Sequence, residues 1–291
     1  MQMNNASEQN RMKPVRFLMK LIKAGLKHIF TLPQVIVHKI KGVTIPYVQQ
    51  VTFFRYFPFG KINTDSTVDI KYRKKAVKFY FGRLGPMAAG EFAQRDYDGL
   101  PVEGYTVVDI GAAVGDTAII FALRGAKKVV GYELNKRYFE MAMRNIKLNN
   151  LEDKVTLNHC GIASKKISKT DEILGALITD EDRRYVEEAS FKTLDEVVAA
   201  ENKSADVVLK MDVDGYEYEI LKSANRKSLN RFRYIAMEYH YGAQDIVSIL
   251  EDAGFEVTVV PVINVSVNHH PEAFQNMEIG MIYGTRTRIL D

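Results

Sequence analysis

Residues 106–117, Thr-Val-Val-Asp-Ile-Gly-Ala-Ala-Val-Gly-Asp-Thr, constrain the fold more than any other stretch of this chain. Val107 and Val108 continue a β-branched apolar run that suits a strand covered on both faces. Gly111 and Gly115 supply a tight turn where backbone passes close to a ligand. Asp116 and Thr117 then open an amphipathic run, Ala118 to Leu123, that predicts a helix. A strand, a glycine turn and a helix N-terminus in that order build a crevice for a nucleotide-like molecule.

The rest of the chain fits a parallel α/β fold. From residue 104 onward, strand and helix patterns alternate. Strands are predicted at Thr106–Ile110, Lys128–Tyr132, Val155–His159, Asp206–Met211 and Tyr234–Glu238. Helices are predicted at about 116–124, about 136–149 with Asn135 as cap, from about Tyr216, and over Ile246–Ala253. Phe139, Met143 and Ile146 mark the apolar positions of the second helix. Two final strands, Val257–Val262 and Met277–Tyr283, have no helix between them and are expected to pair antiparallel at one edge.

Residues 1–95 read as a separate N-terminal part, and residues 96–291 as the main domain. No Asp or Glu lies between Glu8 and Asp65, an interval with ten Lys or Arg. Removing those ten from the net charge of +4 leaves the remainder at −6, so the basic character belongs to one end. Between Pro14 and Pro33, Leu18, Ile22, Leu26 and Ile29 follow helical spacing, with Arg16, Lys20, Lys23 and Lys27 opposite. Residues 13–30 therefore suit an anionic membrane surface, or a helix packed on the domain with its lysines in water. Val43–Ile45, Val48–Phe54, Val68–Ile70 and Val77–Phe81 have strand composition.

No run approaches the length of a transmembrane helix, and no signal peptide is expected. The single cysteine, Cys160, allows no intramolecular disulfide and reads as a small buried residue. Together these suggest a cytoplasmic protein, with the inner membrane face as its peripheral site.

Three features narrow the crevice. Glu133 stands 24 residues after Asp109, at the end of the second strand. An acid there accepts hydrogen bonds from both ribose hydroxyls of an adenosine cofactor. The motif Asp109-x-Gly111-x-Ala113-x-Gly115 lacks a third glycine, which a cofactor without pyrophosphate does not require. The apolar strand Val208-Leu209-Lys210-Met211 delivers Asp212 and Asp214 to the carboxyl edge of the sheet. Either carboxylate can accept a proton, orient a substrate or cap the next helix. His240 follows the fifth strand near the same edge and is open as a general base. His269 and His270 lie beside Glu272, but adjacent histidines point apart in extended chain, so no metal site is predicted.

At these residues the chain resembles the FkbM family of class I S-adenosylmethionine-dependent methyltransferases. Val108–Gly115 is similar to the family's glycine motif, with Ala113 where Asn is usual. Thr193-Leu194-Asp195 resembles its Thr-Leu-Asp segment. Asp212-Val213-Asp214-Gly215-Tyr216-Glu217 resembles its Asp-x-Glu-Gly-x-Glu motif, with Asp214 replacing Glu. Glu238-Tyr239-His240 is similar to its Glu-x-His, and Leu134 stands where Pro is frequent.

The resemblance implies a Rossmann-like, seven-stranded, mostly parallel sheet of order 3-2-1-4-5-7-6 with helices on both faces. It implies S-adenosylmethionine held by Glu91, Asp109, Gly111, Ala113, Gly115, Asp116, Thr117, Glu133, Leu134 and Asp212. Asp212, Asp214 and His240 are then the catalytic candidates, and the expected reaction is O-methylation of a sugar, glycan or lipid-linked glycan hydroxyl. The Asp…Asp-Asn pattern of cation-dependent O-methyltransferases is not evident. An RNA methyltransferase using the basic arm is the alternative enzyme, disfavoured by the acidic main domain. A non-catalytic binding protein on the same scaffold is the alternative outside enzymes.

Overall fold

The computed structural model describes residues 50, 53–54, 56–57, 59–80, 96–164, 185–186, 190–201, 206–261 and 278–286. The basic segment 13–30, Val43–Ile45, Glu91 and the His269-His270 pair lie outside the described residues. The chain divides into two compact units, Met1–Ala93 and Gln94–Asp291.

In the first unit, β1 (Lys61–Ile62), β2 (Thr67–Tyr72) and β3 (Lys75–Tyr80) form an antiparallel sheet in that order. The two-residue turn between β2 and β3 has Arg73 and Lys74 at φ 44° and 71°, the twist a tight hairpin needs. The strand expected over Val48–Phe54 is not formed: the described residues Gln50, Phe53, Phe54 and Tyr56 are helical. Phe57 N–H donates to the Phe53 carbonyl at 2.8 Å, and the two rings stand 5.7 Å apart. Aromatic residues four apart share a helix face, and here that spacing outweighs strand composition.

The second unit is built on β4 (Thr106–Ile110), β5 (Lys128–Glu133), β6 (Val155–Ile162), β7 (Ser190–Lys192), β8 (Val207–Met211), β9 (Phe232–Tyr239), β10 (Glu256–Pro261) and β11 (Gly280–Thr285). The strands lie in the order β10-β11-β9-β8-β4-β5-β6-β7. Pairing is parallel from β7 through to β9 and antiparallel at β9–β11 and β11–β10. The sheet has eight strands where the sequence predicts seven, because Ser190–Lys192 adds a short edge strand to β6. Three residues are too few for periodicity to announce a strand.

Helices α1 (Asp116–Leu123) and α2 (Lys136–Leu148) follow β4 and β5. Short helices α3 (Leu194–Ala200), α4 (Glu217–Ser223) and α5 (Arg226–Leu229) flank β8, and α6 (Gln244–Asp252) follows β9. The amphipathic helix expected after the glycine turn is instead buried from Asp116 through Ala122. Its run Ala-Ile-Ile-Phe-Ala-Leu is apolar on every side, so it has no face to give to water. In α2, Asn135 caps as predicted, accepting from the N–H groups of Arg137 and Tyr138 at 3.0 and 3.4 Å. Met143, expected inward, is exposed, while Met141, Ala142, Asn145 and Ile146 are buried. The helix is turned so that small Ala142 meets Gly115, where an added Cβ would lie 3.1 Å from the Ala142 Cβ.

Thr193 and Glu196 form a capping box at α3, and Asp195 accepts from the backbone N–H of Asn225 at 3.1 Å. The Thr-Leu-Asp segment therefore ties helix ends together. Cys160 is buried and free, as its sequence context suggests. Among the described residues no helix is long and apolar enough to cross a membrane.

Candidate active site

The glycine turn is held in place by backbone chemistry. Gly111 and Ala112 N–H both donate to the Tyr132 carbonyl at 3.0 Å, and Gly115 N–H donates to Ala112 at 2.8 Å. Ala113 N–H donates to Glu133 Oε2 at 2.8 Å. With these donors already engaged, the turn offers a shaped floor more than a set of N–H groups for a phosphate. Gly111, at φ 77°, is irreplaceable: a Cβ there would lie 1.8 Å from the Asp212 carbonyl oxygen. Ala113 also has positive φ, 43°, a region where Asn is tolerated better than Ala. That preference gives a physical reason for Asn at the corresponding family position.

Glu133 is buried at the end of β5, and its Oε1 accepts the Asn135 N–H at 2.7 Å. Burial pushes its pKa up to about 7, against the pull of the Asn135 and Ala113 N–H groups. Each carboxylate oxygen keeps a lone pair beyond these bonds. Leu134, half-buried, follows it, and a Cβ on Gly161 would come within 2.9 Å of the Leu134 side chain.

Asp109 and Thr117 lie beneath the turn rather than in the crevice. Asp109 is fully buried, accepts the Thr117 hydroxyl at 2.7 Å and sits 3.3 Å from Lys210 Nζ. Lys210 also donates to the Gly111 carbonyl at 2.7 Å and lies 5.4 Å from the centre of the Tyr97 ring. Burial raises Asp116 to a pKa of about 7, with Lys210 opposing the shift. Asp109, Thr117 and Lys210 thus brace the turn from its buried side. Lys210 is 1% exposed. Motif reading passes over it, although a charge inside the apolar run Val-Val-Leu-Lys-Met signals a buried partner.

At the opposite side of the crevice, Asp212, Asp214 and His240 come together as the sequence suggests. His240 Nε2 lies 4.0 Å from Asp212 Oδ1 and 3.8 Å from Asp214 Oδ1. Asp214 is the exposed member, with 80% of its side chain accessible. Tyr97 donates to Asp212 Oδ2 at 3.4 Å, and Arg124 holds the Tyr97 loop by donating to the carbonyls of Tyr97, Asp98 and Leu100.

Glu217, absent from the predicted site residues, proves central. It is fully buried, accepts N–H groups from Val213 and Gly215 at 2.9 and 3.3 Å, and approaches His240 Nδ1 at 3.1 Å. Burial disfavours charge on His240, but Glu217, then Asp212 and Glu238, more than compensate and raise its pKa to about 9. Tyr218 steadies the segment after β9, donating to Gly242 O and accepting from Tyr241 N–H, both at 2.8 Å. The last Glu of the Asp-x-Glu-Gly-x-Glu pattern is the signal that was available for Glu217.

Known proteins are similar to parts of this chain. The ribosomal protein L11 methyltransferase of Anoxybacillus flavithermus is 32% identical over 87 residues, which is 30% of this chain and 28% of that protein. That of Carboxydothermus hydrogenoformans is 41% identical over 54 residues, 19% of this chain and 18% of its own length. The chain thus spans about a quarter of these curated relatives or less. Among solved structures, TrmK of M. capricolum with S-adenosyl-homocysteine is similar at a TM-score of 0.44 and 11% identity, covering 67% of this chain and 68% of that one. Magnesium protoporphyrin IX methyltransferase from Synechocystis PCC 6803 with bound SAM has a TM-score of 0.38 and 14% identity, covering 69% and 78%. The family model for the methyltransferase FkbM domain matches residues 109–257, from the buried aspartate of β4 into β10. The chain belongs to that family, and its main unit has a Rossmann-like fold.

Proposed function

We propose that this protein transfers a methyl group to a hydroxyl of a sugar, glycan or lipid-linked glycan. The observation that carries the proposal is the cluster of Asp212, Asp214 and His240 at the carboxyl ends of β8 and β9, across from the Glu133 end of the crevice. In the proposed reaction the acceptor oxygen attacks the methyl carbon of the sulfonium. An O–C bond forms as the S–C bond breaks, and the sulfur keeps the electron pair and becomes neutral. The hydroxyl proton passes to the exposed Asp214 carboxylate, while Asp212 and His240 orient the oxygen.

The test uses S-adenosylmethionine labelled in the methyl group. Incubated with the purified chain, glycan and lipid-linked glycan fractions should take up label as an alkali-stable ether. Label entering only RNA or ribosomal protein fractions would overturn the glycan assignment. The L11 methyltransferase relatives favour a protein acceptor as the second reading, over the short segment they share.

Glu133 makes cofactor binding depend on pH. The ribose hydroxyls need the carboxylate form as acceptor, and burial has moved the protonation point to about 7. Raising pH through 7 removes the competing proton, so affinity for S-adenosylmethionine rises. Calorimetry should show binding about tenfold weaker at pH 6 than at pH 8. Glu133→Gln should bind more weakly and show a flat profile over the same range. A wild-type affinity independent of pH would remove Glu133 from the ribose site.

A further inference from the structure

We infer that Asp212, Glu238 and His240 bind a divalent cation of the Mn²⁺ type at the acceptor end of the crevice. One ligand atom from each of the three lies within 4.8 Å of the others. The sequence predicts no metal here. The structure makes the site by pairing β8 with β9 so that Met211 lies beside Met237. Asp212 and Glu238 each follow that pair by one residue. Glu238 and His240 are two residues apart at the end of an extended strand, and so fall on one face of it.

The spacing suits ligands of a shared ion better than hydrogen bonds. His240 Nε2 stands 4.0 Å from Asp212 Oδ1 and 3.8 Å from Asp214 Oδ1, beyond hydrogen-bond range. Two donor atoms bound to one cation at about 2.1 Å each stand roughly 3–4 Å apart. His240 is 4% exposed, so its ring is aimed into the cluster from the protein interior rather than from solvent.

A second observation is independent of the acidic residues in the cluster. The other ring nitrogen, Nδ1, faces Glu217 Oε1 at 3.1 Å, and Glu217 is itself held by the Val213 and Gly215 N–H groups. This is a charge contact rather than an aligned hydrogen bond, and it places a buried carboxylate behind one imidazole nitrogen while the other faces Asp212, the arrangement that supports a metal-bound histidine. Glu217 is thus a positioning residue for the site. Two carboxylates and one imidazole, which gives up its proton to solvent as the cation binds, form a ligand set open to further oxygen ligands, suited to a hard or borderline cation. This inference rests on the O-methylation reading and deepens it. The cation would hold the acceptor hydroxyl and make it more acidic, with Asp214 left to receive the proton.

The experiment uses the full chain, stripped with a chelator and titrated with MnCl₂ alone, followed by calorimetry and electron paramagnetic resonance. One saturable site is expected. Asp212→Asn and His240→Gln should each weaken it at least tenfold, and Glu217→Gln about 10–100-fold. Asp245→Asn, at an exposed ion pair with Lys222, should leave it unchanged. To avoid reliance on variants that fail to fold, Fe²⁺ with ascorbate and oxygen should cut the wild-type backbone near residues 211–214 and 237–241. Absence of a saturable site, a site that survives in both Asp212→Asn and His240→Gln, or no cutting near those segments overturns the inference. S-adenosylmethionine affinity is measured on the same samples. Cofactor binding without Mn²⁺ binding removes the cation alone, whereas loss of both in the wild type removes the methyltransferase reading as well.

Discussion

Replacing Lys210 with methionine should destabilise the Gln94–Asp291 unit by about 3–5 kcal/mol in urea unfolding, because it strands the Asp109 carboxylate in an apolar interior. Methionine fills much of the lysine volume, so the loss is electrostatic rather than a cavity effect. The same change removes the Nζ donor from the Gly111 carbonyl, and affinity for S-adenosylmethionine should fall with stability. Asp109→Asn in the Lys210→Met background removes the buried charge and should restore a large part of the stability. The restored protein should still bind cofactor weakly, since the turn has lost its tie to β8. An unfolding midpoint unchanged in Lys210→Met would show that the pair carries no structural weight.

Gly111→Ala should weaken S-adenosylmethionine binding by about 100-fold, equivalent to ~3 kcal/mol. Two costs add at this position. The residue sits at φ 77°, which costs an alanine about 1 kcal/mol. The new Cβ would also fall 1.8 Å from the Asp212 carbonyl oxygen and 2.9 Å from its carbon, so backbone must move. That movement parts the ends of β4 and β8, which carry the turn and Asp212. Gly104 separates the two costs, since its φ is 78° and a Cβ there meets nothing within 4 Å. Gly104→Ala should lose only about 1 kcal/mol of stability and keep its cofactor affinity. Equal effects at Gly104 and Gly111 on binding would refute the steric account.

Local chemistry made much of this protein legible in its sequence. The strand-turn-helix at residues 106–117, the cap at Asn135 and the acid at Glu133 each depend on a few neighbouring residues. Periodicity located β4, β5, β6, β8 and β9 for the same reason. It failed where two local signals conflict, as at Phe53 and Phe54, or where the segment is too short, as at Ser190–Lys192. Met143 and Ile146 both satisfy helical spacing, and tertiary contacts, Ala142 against Gly115 and Asn145 donating to the Val114 carbonyl, accompany the burial of one side of α2.

The site divides along the same line. Asp212, Asp214 and His240 were visible as candidate site residues, and the sequence alone placed them at the carboxyl edge of a parallel sheet. Only the tertiary structure set Glu217 behind His240 and Glu238 beside Asp212. It also joined Lys210 to Asp109 and the Gly111 carbonyl, 99 residues away along the chain. A buried charge declares in sequence that it needs a partner, but not which one. Strand order and register choose the partner, because hydrogen bonds and ion pairs act over a few ångströms in space whatever the distance along the chain.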